Sequence, residues 1–105
     1  MELMPSKTNF YSVIKGKTTD EINNVFQKHN WAIRKSAWSE YEYRNSWAEL
    51  VLQNDGEYLL LHGLVVYNIN NVKFIQELFD NLKCPYKFEF YDPNDLIIEQ
   101  AQKDM

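Results

Sequence analysis

A chain of 105 residues, 45% hydrophobic and 25% charged, has the composition of one folded domain with its own core, which excludes wholesale disorder. Its three glycines form neither G-x-G-x-x-G nor G-x-x-x-x-G-K, so a phosphate-binding loop is excluded as well, and no other cofactor motif is present. The net charge of −4 is unevenly spread: residues 1–39 hold six basic and three acidic side chains, residues 40–105 five and twelve, and the acidic second half disfavours nucleic acid as a partner.

Residues 1–9, with Pro5, read as a loose arm. Phe10 to Ile14 suits a first strand closed by Gly16. Thr18-Thr19-Asp20-Glu21 matches a capping box, and Ile22, Val25, Phe26 and His29 follow at helical spacing, giving a helix over 19–29 that Asn30 stops. Trp31 to Arg44 reads as a long strand with a bulge or bend near Ser36, followed by strands over 47–53 and 58–67. Leu59 to Leu61 and Leu64 to Val66 are apolar on both faces, which marks the last of these as a central strand. Asn68 or Asn70 can cap a second helix with a stripe of Val72, Ile75, Leu78, Phe79 and Leu82, ended by Pro85. Tyr86 to Tyr91 alternates as a half-buried strand. Asp92-Pro93-Asn94-Asp95 is a turn leading to a short helix with Leu96, Ile97 and Ala101, or to a last strand. The order β-α-β-β-β-α-β plus a short terminal element predicts a single α+β domain: a two-layer sandwich, mainly antiparallel, with both helices on one sheet face.

The stretch from Trp38 to Tyr67 carries the candidate site. Asn45-Ser46 and Asp55-Gly56 read as hairpin loops. With two-residue loops, Arg44 faces Trp47, Glu42 faces Glu49, and Glu49 faces His62. One sheet face then gathers Trp38, Glu40, Glu42, Arg44, Trp47, Glu49 and His62, while Tyr41, Tyr43, Leu50, Leu52, Leu59 and Leu61 point to the core. Leu50, Leu52, Leu59, Leu61, Val25, Phe26, Ile75 and Phe79 should share that core. Aromatic side chains rimmed with Glu and Arg have the composition of a protein interface, and the row Glu42, Glu49, His62 could alternatively serve a metal-dependent enzyme or a ligand site. A homodimer packed through the same face is a further alternative.

Asp92, Asn94, Asp95 and Glu99 lack the spacing of a calcium loop. Cys84 is the only cysteine, so no internal disulfide forms and a reducing compartment is the natural expectation; a lone cysteine beside Pro85 reads as inert packing. The first residues lack the apolar run of a signal peptide and no run approaches a membrane span, which suggests a cytoplasmic chain. In its general cast, small, acidic, aromatic-rich and without a catalytic signature, the chain is similar to bacterial immunity proteins that plug toxins. The likeness is one of composition. It implies a protein-binding module, an inhibitor that neutralises a basic toxin or nuclease; no metal and no cofactor are expected.

Overall fold

The computed structural model describes residues 7–38 and 40–105. Within them the elements run β1 (Lys7–Lys15), α1 (Thr19–Lys28), β2 (Ala32–Ala37), β3 (Glu40–Arg44), β4 (Ala48–Asp55), β5 (Tyr58–Val66), α2 (Ile69–Leu82), β6 (Tyr86–Tyr91) and β7 (Ile97–Lys103). The seven strands form one antiparallel sheet in the order β2-β3-β4-β5-β1-β6-β7, and both helices pack on one of its faces. This is the expected two-layer α+β arrangement, with β5 as the middle strand.

The helices begin and end where local chemistry dictates. At the start of α1 the Thr18 hydroxyl accepts the Glu21 amide (3.3 Å) while the Glu21 carboxylate accepts the Thr18 amide (3.2 Å), a complete capping box. That backbone bond, with Lys17 beside it, holds the Glu21 carboxyl below its ordinary pKa. Asn30 stops the helix in the left-handed region (φ 65°), and the Trp31 amide reaches back to the Phe26 carbonyl at 3.1 Å. On α2 the Asn68 side chain accepts the Asn71 amide at 2.9 Å, and the buried Asn71 side chain donates to the Val66 carbonyl at 2.7 Å, tying the helix to the strand before it.

Between helices and sheet lies one core. Phe26, Leu50, Leu52, Leu59, Leu61, Ile75 and Phe79 are all buried in it, with Val25 at its edge, as their alternation and helical spacing require. Phe10, Phe79, Phe88 and Phe90 pack edge to face under α2, and Phe26 stacks on Tyr43 under α1 at 4.2 Å. Two polar side chains of β1 point into this layer, and both are satisfied across the ladder: Thr8 donates to the Val65 carbonyl (3.0 Å) and Ser12 to that of Leu61 (2.7 Å).

Two stretches depart from the expected outline, and a third resolves an alternative. Lys7, Thr8 and Asn9, assigned to the arm, open β1 because Thr8 shares the inward alternation of Phe10, Ser12 and Ile14; residues 1–6 of that arm lie outside the described residues. The long strand over 31–44 doubles back as the hairpin β2–β3, whose register shifts between Lys35 and Ala37, at the bend anticipated near Ser36. Of the two continuations expected after the Asp92 turn, helix or strand, residues 97–103 take the strand. The Asp92 carboxylate takes the amides of Asn94 (2.8 Å) and Leu96 (3.0 Å), Asp95 sits at φ 63°, and the chain is thereby turned back along β6.

Candidate functional site

Strand alternation gives the sheet a second face that no described element covers. The ladders order it in rows. One runs Arg34, Glu42, Val51, His62, Tyr11, Glu89, Gln100; a second runs Glu40, Gln53, Leu60, Val13, Lys87, Gln102; a third runs Arg44, Glu49, Leu64, Asn9, Tyr91, Ile97. The expected face holds for Glu40, Glu42, Arg44, Glu49 and His62, but their neighbours differ. Arg44 faces Glu49 where Trp47 was expected, Glu42 faces Val51, and His62 faces Val51 and Tyr11. Glu49 lies opposite Leu64, so the row Glu42–Glu49–His62 does not form.

The cause is local. Both hairpin tips sit one residue beyond the expected ones, at Ser46-Trp47 and Gly56-Glu57. Asn45 is still paired: its amide donates to the Ala48 carbonyl, and its side-chain oxygen accepts the Trp47 amide at 2.9 Å. Gly56 supplies the positive φ (67°) at the first tip position of the second hairpin. A tip displaced by one residue moves the pairing by two, which preserves each side chain's face and changes its partner. A close approach of β4 and β5 reinforces the register at Gly63, where a Cβ would lie 2.0 Å from the Glu49 carbonyl oxygen.

Neither tryptophan lies on this face. Trp47, at the tip, turns to the helix side and packs edge-on against Trp31 at 5.2 Å and beside Phe74 at 6.2 Å. These rings, with His29, Asn45 and Leu78, line a cleft of ≈ 270 Å³. Trp38 stands in the β2–β3 turn, 92% exposed, with the Lys35 ammonium 5.5 Å above its ring. Trp31 and Phe74 were absent from the sequence-derived site; Phe74 lies off the apolar stripe of α2, and an aromatic at that helical position was the available signal.

On the open face, Asn9, Tyr11, Gln53, Leu60, His62 and Leu64 border a shallow depression of ≈ 380 Å³. Tyr11 (41%) and Leu64 (39%) are exposed in it. The Gln53 amide donates to Glu40 at 2.8 Å, so its carbonyl oxygen accepts from His62 Nε2 at 2.9 Å, and the imidazole keeps Nδ1 for an outside group. No Ser, Thr or Cys lines the depression, and no cluster of three or more metal-ligating side chains occurs among the described residues. Cys84 is buried at the far side, and burial pushes its thiol pKa up. The arrangement offers apolar contact, carboxylates and one imidazole.

No protein-family model, curated protein or solved structure matches this chain. None of its helices is long and apolar enough to cross a membrane among the described residues.

Proposed function

We propose that this chain is a protein-binding module that takes its partner on the open face of the sheet. The observation that carries the reading is the one-sided sheet itself: helices cover one face, while the other presents Tyr11, Leu60 and Leu64 among charged side chains. Contiguous apolar surface of this kind marks contact sites, and aromatic residues anchor them. Glu40, Glu42, Glu49 and Asp55 cluster on the β3–β4 side, which favours a basic partner by steering its approach. An immunity-type inhibitor that blocks a basic toxin or nuclease in the cytoplasm is the role this surface serves best.

Affinity capture tests the reading. The wild-type chain and a Glu40→Lys/Glu42→Lys chain are challenged with the same cell extract, and the retained basic protein is identified and assayed for nuclease or toxin activity. Retention and inhibition by the first chain only are expected. Equal retention by both would remove the open face from the reaction.

A further inference from the structure

The open face is divided by charge along a line that follows β5. On the β2–β4 side four carboxylates, Glu40, Glu42, Glu49 and Asp55, stand against Arg34 and Arg44. On the β1–β6 side three lysines, Lys7, Lys15 and Lys87, stand against Glu89 alone. Each half therefore holds the same excess charge with opposite sign, and between them runs a largely apolar strip of Leu60, Leu64, Tyr11 and Val13. As β5 is the fourth of seven strands, three lie on either side of it.

We infer that this face packs against the same face of a second copy of the chain, about a two-fold axis parallel to β5. The inference rests on the open face being a docking surface, and it names the resident occupant. An axis along the strands carries β4 onto the copy's β1 and β3 onto the copy's β6, so acidic half meets basic half twice over. An axis across the strands would set every strand on itself and like charge on like.

The register makes the pairs specific. Asp55 is level with Lys15 through Tyr58, and Glu40 is level with Lys87 through Gln53, Leu60 and Val13. Both become contacts between copies, each made twice, while Leu60 and Leu64 meet their own equivalents at the axis. One row sets like charges together, Glu42 toward Glu89. There each carboxylate has a cation of its own chain, Arg34 opposite Glu42 and Lys87 Nζ 3.9 Å from Glu89. Area agrees: seven strands spaced about 4.8 Å and about seven residues long give roughly 700 Å² per partner, close to the ~800 Å² of a standard interface. A foreign basic partner then competes with the copy's lysines, so its binding is linked to dimer dissociation.

Sedimentation equilibrium on four samples tests this: wild type, Glu40→Lys/Asp55→Lys, Lys15→Glu/Lys87→Glu, and an equimolar mixture of the two variants, with circular dichroism matching wild type in each. The wild type should dimerise, and less so at high salt. Each variant alone should dimerise roughly 100-fold more weakly, because attraction becomes repulsion at all four contacts. The mixture should dimerise again. A wild type that stays monomeric to roughly 1 mM, a dimer that survives both reversals, or a mixture that fails to pair overturns the inference. A monomeric wild type that still holds a basic protein, released by Glu40→Lys/Glu42→Lys, overturns the dimer and leaves the docking reading standing; a monomer that holds none removes both.

Discussion

Tyr43 is sealed in the core against Phe26, and its hydroxyl donates to the Asn23 side chain of α1. Burial pushes its pKa well above the ordinary phenol value, and Tyr86 is raised by burial too. A group whose native pKa is raised keeps its full contribution below the unfolded pKa and loses it as pH climbs beyond. Above about pH 10 the unfolded phenol ionises and the native one does not, so stability falls with rising pH. Urea titrations at pH 8 and pH 11 should show that fall, and Tyr43→Phe should flatten it while forfeiting the bond to Asn23. Gly63→Ala should cost at least about 2 kcal/mol, since a methyl group there meets the Glu49 backbone and the φ of 155° disfavours it. Cys84 should react slowly with a disulfide reagent at pH 8 in the native chain and rapidly in urea, because burial suppresses its thiolate.

The elements were legible because their signals are short-range. The capping box at Thr18, the stop at Asn30 and the alternation of Tyr86 to Tyr91 each lie within a few residues, and each appears as read. Leu61 was legible as core for the same reason, and Leu61→Ala should lower stability by roughly 2–5 kcal/mol in a denaturant melt. Register was not legible at this scale. The Trp47 ring packs against Trp31, just after α1, and against Phe74 of α2, both distant in sequence, and the residues around Asn45 carry no signal of those contacts. The same slip moved Trp47 out of the candidate site. Accordingly Trp47→Ala should lower stability by roughly 1–3 kcal/mol and leave partner association at the open face unchanged, which a melt and a binding assay separate.

At the scale of the molecule, the uneven charge of the sequence becomes geometry. Lys7 and Lys15 belong to the basic first part of the chain, and β1 carries them to the middle of an otherwise acidic sheet by entering between β5 and β6. Strand order of this kind depends on contacts between distant residues, which is why the shared face of Glu40, Glu42, Arg44, Glu49 and His62 was legible and the lysines on the other half of that face were not. Binding of a basic partner should weaken steeply as salt rises, with the change in the association rate, because exposed charges are screened over about 8 Å at physiological ionic strength. The placement of β1 also dictates a timetable. Its ladder to β5 joins residues such as Ser12 and Leu61, 49 positions apart in sequence, and its other edge waits for residues 86–91. The hairpins from β2 to β5 can assemble alone, whereas β1, which precedes them in the chain, is among the last to dock, and until then β5 and β6 each expose a bare edge to neighbouring chains. Refolding should therefore slow and lose yield as protein concentration rises, and pulse-labelled amides of Phe10 to Ile14 should gain protection after those of Leu50 and Leu52.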